Sequence, residues 1–356
     1  MEYIRNTWYA AGWSEEVTRT MLSRKYLNES VLLYRKEDGT PVAIADLCPH
    51  RFVPLSIGKL IGDNVECLYH GLAFNCAGDC VDNPHGSGVI PKAAKVRSYP
   101  LTEQYGLVWI WMGDPAKADP SLVPDYTWLN TPGKYRQVHG TINLKANYLL
   151  VMDNLTDLSH AGFVHVATLE PRELAKASYE VVEEESGRVW TKQFVASMPV
   201  PALFTIVKGF TGHMDHWLEM RCDPPGCMIT YYGVTNPGRP REEGWGTYNP
   251  NIITPETDST THYFWATARD FDLDDDEMTH KFEVGAGYAF EHEDRPVIEA
   301  QQQVLRGREL MDMKPVLLQN DQGSGRARRV ITRRIKAEQA AATSSKETVG
   351  QTVAAE

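Results

Sequence analysis

The pattern of apolar and polar positions separates a strand-rich N-terminal part of the chain from a mixed C-terminal part. Apolar runs at residues 31–35 and 42–46 flank a turn that contains Gly39, and this arrangement predicts a β-hairpin. Short apolar segments with frequent turns continue as far as residues 107–112. We therefore expect residues 1–115 to form a small all-β domain.

The remainder of the chain combines helical and extended patterns. Residues 116–134 hold several prolines and aspartates, which is typical of a connector. Apolar residues three positions apart over 148–160 predict a helix, residues 135–146 and 178–270 are strand-like, and helix formers dominate 275–309. We expect an α+β domain over 135–336 and then a disordered tail over 337–356, where the residues are small, polar and aperiodic.

Charge and composition exclude several classes of protein. The formal net charge of −11 argues against a nucleic-acid-binding surface, and an anionic substrate would need a local cation. No apolar run reaches the roughly 18–20 residues that span a bilayer, and the N-terminal residues lack a secretory signal. We therefore expect a cytoplasmic protein, whose six cysteines do not form a disulfide framework.

Two short segments each supply one thiol and one imidazole: Cys48 with His50, and Cys67 with His70. Two thiolates and two histidines are the ligand set of a Rieske [2Fe–2S] centre, in which the histidines hold one of the two irons. A Cys2His2 zinc site is the alternative. Zinc fingers usually group like ligands and include a helix, whereas each segment here mixes Cys with His in a β-rich region. The four residues therefore predict a two-iron cluster.

The other cysteines are not needed to complete this cluster. Cys76 and Cys80 lie close to it, and we expect them to be loop residues, as we expect His85 to lie in a turn. Cys222 and Cys227 have no histidine nearby, and we expect them to be small side chains that are buried or half-buried.

A second group of candidate metal ligands lies on the predicted helix. Asn154, Asp157 and His160 are three positions apart and share one helix face. His160 and His165 are five positions apart, which on an ideal helix places them about 140° apart. Both can bind one metal only if the helix ends or bulges between them, and Gly162 would tolerate such an irregularity. Two histidines and one carboxylate are the ligands of a non-haem iron that activates O2.

The carboxylate of this second site has several candidates. Asp157 is one of them, although its position three residues before His160 would also let it hydrogen-bond that imidazole. The acidic run in the late helical region offers Glu291, Glu293 and Asp294, and spacing alone does not distinguish among them. The residues therefore predict the iron site but leave its third ligand open.

These two motifs, in this order, resemble those of the Rieske non-haem iron oxygenases. The chain is similar to the branch that contains the oxygenase components of vanillate O-demethylase, toluenesulfonate methyl-monooxygenase and dicamba O-demethylase. The similarity extends over nearly the whole chain except the C-terminal tail and is carried by residues 5–11, 47–51, 69–72, 108–115, 153–160, 253–257 and 263–269. It implies an N-terminal Rieske β-domain and a C-terminal α+β catalytic domain with an antiparallel sheet flanked by helices.

The resemblance also implies a role for each candidate residue. The cluster ligands would be Cys48, His50, Cys67 and His70, and the ligands of the mononuclear iron would be His160, His165 and Asp294. Asn154 would lie beside the iron ligands. Asp157 matches the acid that links a cluster histidine of one subunit to an iron histidine of the next, which implies a C3 homotrimer.

The implied activity is that of a terminal oxygenase. A separate reductase with flavin and iron–sulfur centres, or a ferredoxin, would pass electrons from NAD(P)H to the cluster, and O2 would serve to hydroxylate a methyl or methoxyl group of a small aromatic acid. A hydroxylated methoxyl group collapses to a phenol and formaldehyde, so we expect O-demethylation of a methoxybenzoate-type substrate. By position, the pocket would include Thr230, Asn251 and Gly285, with Arg221 meeting an anionic group.

Three other functions are alternatives to O-demethylation: methyl hydroxylation, ring dihydroxylation and electron transfer by a Rieske carrier. A carrier would need only residues 1–115 and would contain two irons per chain instead of three. Dihydroxylation would yield a cis-diol instead of formaldehyde. The chain lacks the longer glycine pattern of a dinucleotide-binding domain, so we expect its reductase to be a separate protein.

Overall fold

The computed structural model describes residues 2–353, with side chains described as far as residue 343, and the chain divides into two compact units. The N-terminal unit consists of Arg5–Val123 and Thr254–Thr257, and the second unit holds the other described residues. None of the described helices is both long and apolar enough to cross a membrane.

The N-terminal unit is all-β, as the sequence predicts. Its described strands form small sheets with the orders β1-β10-β9, β2-β3-β4 and β5-β6-β7-β8, in which neighbouring strands are antiparallel. The strands are β1 (Trp8–Trp13), β2 (Leu22–Tyr26), β3 (Glu29–Arg35), β4 (Pro41–Ala45), β5 (Lys59–Ile61), β6 (Asn64–Glu66), β7 (Ala73–Phe74), β8 (Cys80–Asp82), β9 (Leu101–Gln104) and β10 (Leu107–Trp111).

The predicted hairpin is formed by β3 and β4, with Val31 opposite Ala45. Leu32 and Ile44 from this pair are fully buried in one apolar cluster that also contains Cys48 and Cys67. Cys48 follows the end of β4, and Cys67 immediately follows β6. The two segments that carry the thiols and imidazoles therefore leave the same hydrophobic core.

The second unit is built on one antiparallel sheet with the strand order β11-β17-β16-β15-β14-β13-β12. Its strands are β11 (Arg136–Leu144), β12 (Tyr179–Glu183), β13 (Val189–Pro199), β14 (His213–Asp223), β15 (Cys227–Thr235), β16 (Trp245–Thr257) and β17 (Thr260–Arg269). Its helices are α1 (Tyr148–Thr156), α2 (Ala161–Val164), α3 (Ala202–Lys208), α4 (Asp276–Tyr288), α5 (Arg295–Leu305) and α6 (Gln322–Val353), with a π-helical turn at Ala289–Asp294 between α4 and α5.

The structure departs from the predicted elements at three places. The single helix expected over 148–160 ends at Thr156, and α3 lies within the stretch that was expected to contain only strands. The tail expected to be disordered from residue 337 is instead helical as far as Val353, and residues 354–356 lie outside the described part. Residues 337–342 include several alanines with Glu and Gln, which favour a helix and can prolong one that is already formed.

An ion pair attaches α6 to α1. Arg328 donates through Nε and Nη2 to both carboxylate oxygens of Asp153, with the shortest contact at 2.6 Å. Both side chains are largely buried. Burial raises the pKa of Asp153, and the hydrogen bonds from Arg328 oppose this rise. The pair holds in place the helix that precedes the candidate iron ligands.

Candidate metal centres

The two thiols of the N-terminal motif lie in loops of the same construction. Phe52 N donates to Cys48 O, and Cys48 N donates to Val53 O, both at 2.9 Å. The second loop repeats these bonds: Gly71 N donates to Cys67 O at 2.9 Å, and Cys67 N donates to Leu72 O at 2.8 Å. Phe52 and Gly71, four residues after each cysteine, both have positive φ angles, of 57° and 71°. Each loop therefore turns its backbone around one sulfur.

Sulfur and nitrogen ligands occupy different depths in this site. Cys48 and Cys67 are buried, whereas His50 is exposed and His70 is half-buried, with their ring centroids 4.4 Å apart. Burial raises the pKa of the Cys48 thiol, and the adjacent Cys67 raises it further. Two thiols that are buried side by side favour a shared cationic group. The imidazoles therefore form the outer edge of the site.

The distances between these four donor residues distinguish a two-iron cluster from a single zinc ion. Among the described residues, the one group of three or more His, Cys, Asp or Glu donor atoms that all lie within 4.8 Å of each other is in the second unit. A single tetrahedral zinc holds sulfur at about 2.3 Å and nitrogen at about 2.0 Å, so it would need its ligands closer together. The N-terminal donors fit a group with two metals better than a single ion.

Of the other cysteines and the histidine considered above, all but Cys80 lie where the sequence predicts them. His85 lies in an exposed turn, and its Nε2 is 2.7 Å from the carbonyl oxygen of His70. Cys76 lies in a turn, but Cys80, expected in a loop, begins β8 and is buried. Cys222 and Cys227 are buried, as expected.

The second constellation comes together around one carboxylate. Oδ1 of Asp294 lies 3.2 Å from Nε2 of His165 and 3.4 Å from Nε2 of His160. Asp294 and His165 are buried, and His160 is partly exposed. Burial alone would raise the pKa of Asp294, but the hydrogen bonds and charges of the two histidines hold this pKa well below its usual range. The three side chains present two nitrogens and one carboxylate to a common point, which fits a single iron.

The two histidines meet because the helix breaks before them. Asp157 adopts an extended conformation with φ −90° and ψ 91°, and a 3-10 turn, Leu158–His160, then leads into the single turn of α2, which ends at Val164, directly before His165. Gly162, where we expected the irregularity, lies inside α2. There an added Cβ would come within 3.4 Å of the backbone of the segment 171–175.

The π-helical turn Ala289–Asp294 brings the carboxylate into this group. Such a turn contains one residue more than an α-helical turn and is often found at functional sites. The sequence did not indicate it. Of the three acids left open, Glu291 accepts a hydrogen bond from Arg295, Glu293 contacts His165, and only Asp294 points its carboxylate between the histidines.

Hydrogen bonds fix the orientation of both imidazoles. Nδ1 of His165 is 2.8 Å from Oε2 of Glu293. Nδ1 of His160 contacts the backbone carbonyl of Asp157, so the expected bond from the carboxylate of Asp157 to this ring is replaced by one to its backbone. Asn154, expected beside the ligands, donates to Oδ1 of Asp294 at 3.1 Å. Both Nε2 atoms are therefore directed at Asp294.

A largely apolar cavity opens beside these three residues. Leu155, Leu158 and Ala161 line it from the segment that carries His160, and Phe282, Ala286 and others line it from α4 and the π-helical turn. Further apolar lining comes from Leu169, Leu203, Ile206, Val207, Leu218, Met220 and Tyr232. Apolar walls with a few polar groups are typical of a small-molecule site.

Three of the four predicted pocket residues line the cavity. Asn251 donates to Oγ1 of Thr230 at 3.1 Å and accepts from the Tyr263 hydroxyl at 2.6 Å. At Gly285 an added Cβ would meet open space, so this position leaves room in the cavity.

Arg221 does not line the cavity. Successive side chains of a strand point to opposite faces, and its neighbour Met220 is the one that faces the cavity. Arg221 instead donates to the backbone carbonyl of Asp125 at 2.8 Å and pairs with Asp223 at 2.9 Å. The cation that does line the cavity is Lys281, which lies at an exposed position with its Nζ 2.9 Å from Oε1 of Glu277.

Comparison with known protein families agrees with both sites. The Rieske [2Fe-2S] domain family matches residues 7–100, and the vanillate O-demethylase oxygenase C-terminal domain family matches residues 144–337. The chain belongs to the Rieske non-haem iron oxygenases. The first match contains the paired Cys and His loops, and the second contains both histidines and the π-helical turn.

Characterised Rieske oxygenases resemble this one over almost its whole length. The dicamba O-demethylase oxygenase component of Stenotrophomonas maltophilia is 36% identical over 93% of this chain and 97% of its own. The toluene-4-sulfonate monooxygenase iron-sulfur subunit TsaM1 of Comamonas testosteroni is 39% identical over 94% of this chain and 98% of its own. A crystal structure of dicamba monooxygenase with non-heme iron and dicamba has a TM-score of 0.83 and 34% identity, covering 96% of this chain and 99% of that one.

Two residues at the candidate site of this Rieske oxygenase were missed by sequence reasoning. Glu293 was considered only as a ligand, and its adjacency to Asp294 was the available signal that one of the two supports the other. Lys281 carried no signal, because a lysine in a region rich in helix formers is usually a solvated residue.

Proposed function

We propose that the protein is the terminal oxygenase of a multicomponent Rieske monooxygenase and that it removes the methyl group of a methoxybenzoate-type acid. The observation that carries this proposal is the convergence of His160, His165 and Asp294 at the wall of an apolar cavity. The paired Cys and His loops in the same chain supply the complementary centre for electron transfer.

The metals would be held by the residues already described. Cys48, Cys67, His50 and His70 would hold the [2Fe–2S] cluster, and the second group would hold the mononuclear Fe(II). When bound, this iron supplies the activation of O2 and the oxidation of a C–H bond, while the protein supplies binding and orientation. Because the protein would supply only three ligand atoms, oxygen and the substrate could approach the iron.

The cavity walls would determine which bond reacts. Apolar side chains exclude water and hold the methyl group toward the iron ligands, which reduces the freedom of the reacting atoms. Lys281 would attract a carboxylate or sulfonate, and Thr230 and Asn251 would offer polar contacts to the ring substituents. Hydroxylation of a methoxyl carbon gives a hemiacetal, which releases formaldehyde and leaves a phenol.

The names of the similar proteins support this class of substrate. Dicamba O-demethylase and the vanillate O-demethylase domain family are named for removal of a methyl group from oxygen, and the toluene-4-sulfonate protein for oxidation of a methylated aromatic anion. Methyl hydroxylation is therefore the second candidate reaction, and a cation in the cavity is compatible with both.

A homotrimer is part of this proposal. Oδ1 of Asp157 accepts hydrogen bonds from Ser159 and Asn320, at distances of 2.6 to 3.0 Å. A groove beside Asp157 is lined by exposed apolar side chains that would be covered in an assembly, namely Val297, Met311, Val316 and Leu317. In a closed ring of three, Asp157 would carry electrons from His70 of one subunit to His160 of the next.

The electrons would come from a separate reductase with flavin and iron–sulfur centres, or from a ferredoxin, and ultimately from NAD(P)H. We also place the enzyme in the cytoplasm, where thiols stay reduced, because all six cysteines are free.

To test the proposal, the purified enzyme is incubated with a surrogate reductase, NADH and O2. The candidate substrates are methoxylated and methylated benzoates and benzenesulfonates. We expect three irons per chain and formaldehyde in proportion to the O2 consumed with a methoxybenzoate. The Asp294→Asn variant is the control and should keep its cluster but form no formaldehyde. A cis-diol product would contradict the reaction, and two irons per chain would indicate a carrier.

A further inference from the structure

Glu170 and His216 form a pair of ionisable groups that is almost completely shielded from solvent. Glu170 is 1% exposed and His216 is not exposed at all. Oε1 of the carboxylate lies 3.1 Å from Nε2 of the imidazole. Carboxylates are rarely buried to this degree, because removal from water is costly unless the group is fully hydrogen-bonded.

The described residues use little of the hydrogen-bonding capacity of Glu170, whose polar neighbours are His216 and Tyr232. Neither of its carboxylate oxygens receives a hydrogen bond of good geometry from a described residue, and the same holds for both ring nitrogens of His216. The neighbouring Tyr232 hydroxyl donates to the backbone carbonyl of Leu169 at 3.2 Å, and burial together with the nearby Glu170 carboxylate raises the pKa of Tyr232. A buried acceptor without such a bond is uncommon and calls for a physical explanation.

The position of Glu170 supplies that explanation. Its side chain lines the same cavity as the candidate iron ligands, and its backbone N–H donates to the carbonyl oxygen of His165 at 3.1 Å. His216 lies on β14 on the face shared with Leu218 and Met220, which also line the cavity, but His216 itself does not reach the cavity. His216 therefore lies behind Glu170 and faces one of its oxygens, while the side chain of Glu170 forms part of the cavity wall, with both carboxylate oxygens shielded from bulk water.

We propose that Glu170, supported by His216, is a substrate-binding subsite that accepts a hydrogen bond from a phenolic O–H or an aromatic N–H group. This inference rests on the proposed function and narrows its substrate class to aromatic acids that carry such a donor on the ring. A carboxylate that is already desolvated binds a donor strongly, because no water has to be removed from it at the moment of binding. The same carboxylate disfavours ligands that place an apolar or anionic group against it.

Three probes separate this role from a purely structural one: 4-hydroxy-3-methoxybenzoate, 4-amino-3-methoxybenzoate and 3-methoxybenzoate, which lacks the second substituent. Binding is measured by calorimetry on the iron-loaded enzyme without O2 or reductase. We expect the wild type to bind the two donor compounds roughly 10- to 100-fold more tightly than the third, the size expected for a hydrogen bond to a charged group.

Two variants and a control complete the experiment. Glu170→Gln should reduce the preference for the donor compounds to within about threefold, and the double variant Glu170→Met with His216→Leu should abolish it while 3-methoxybenzoate still binds. Glu173→Gln, at an exposed position on the same segment, should leave the preference unchanged. Iron content and thermal unfolding of each variant identify any loss of fold.

The outcomes are distinct from those that test the reaction. The subsite is wrong if the wild type binds all three probes equally or binds none, or if the variants weaken all three by the same factor. If the preference for donors is present and disappears in the variants, but no probe releases formaldehyde during turnover, the subsite stands and the proposed reaction falls.

Discussion

Nδ1 of His165 lies 2.8 Å from Oε2 of Glu293, and the Thr168 hydroxyl donates to the same oxygen at 2.6 Å. A carboxylate at Nδ1 favours the tautomer that carries its proton there, which leaves Nε2 as a metal donor. Two adjacent acids of one π-helical turn thus have different tasks: Asp294 faces the metal position, and Glu293 orients one of the histidines.

Loss of the Glu293 carboxylate should weaken iron binding without removing a ligand. We expect Glu293→Gln to lower the affinity of the mononuclear site for iron by about 10- to 100-fold, because outer hydrogen-bond partners of metal-bound histidines have effects of this size. Iron titration of the apoprotein measures this change, and the visible absorption of the cluster should not alter. Glu291→Gln is the control, because the Glu291 side chain pairs with Arg295 and not with a histidine of the site. Equal iron affinity in both variants would contradict the role of Glu293.

Substitution of Asp157 should separate metal binding from turnover. Nδ1 of His160 contacts the backbone carbonyl of Asp157, and this bond survives a change of side chain. We therefore expect Asp157→Ala to retain both metals and to lose turnover almost completely, since the carboxylate is the proposed bridge between subunits. Metal analysis and reductase-coupled O2 uptake test this. Turnover at the wild-type rate would rule out the bridge.

Lys281 and Arg221 should respond differently to removal of their charges. Lys281 lines the cavity at an exposed position, so Lys281→Met should raise KM for carboxylate substrates by about 3- to 10-fold and leave KM for the corresponding methyl esters unchanged. Arg221→Met should instead lower the thermal midpoint of unfolding, because Arg221 is buried and pairs with Asp223 away from the cavity. A selective rise of KM for acids in Arg221→Met would reverse these assignments.

The ion pair between α6 and α1 should contribute measurably to stability. Arg328→Met leaves Asp153 buried without its partner, and we expect a loss of about 3 kcal/mol in the free energy of unfolding. Arg333→Met is the matched control in the same helix: its bond to Glu183 is largely exposed, so its loss should be below about 1 kcal/mol. Urea unfolding of both variants gives the comparison, and similar losses would refute it.

The metal motifs could be predicted from the sequence because metal binding allows few residue types at the ligand positions. Few arrangements other than an iron–sulfur site need Cys48 and His50 together with Cys67 and His70 at that spacing. The hairpin of β3 and β4 could be predicted for a similar reason, since apolar runs on both sides of a turn favour few structures other than a β-hairpin.

The irregular backbone, and the face of the sheet to which each strand residue points, could not be predicted from the sequence. The break at Asp157 and the π-helical turn before Arg295 depend on tertiary contacts, which a pattern of period 3.6 does not contain. The facing of Arg221 follows from strand register: a shift by one residue exchanges the two faces of β14, and no sequence signal defined that register. Spacing alone likewise left the choice between Glu293 and Asp294 open.

The π-helical turn limits how this region can be exchanged with that of a related enzyme. Ala289 lies at the cavity and Asp294 at the metal position, five residues later, and the extra residue of the turn keeps both on one side. Deleting one residue between them would rotate Asp294 by about 100° away from the histidines and leave the cavity wall intact. A chimera made to alter substrate range must therefore conserve the length of this segment, whatever amino acids fill it.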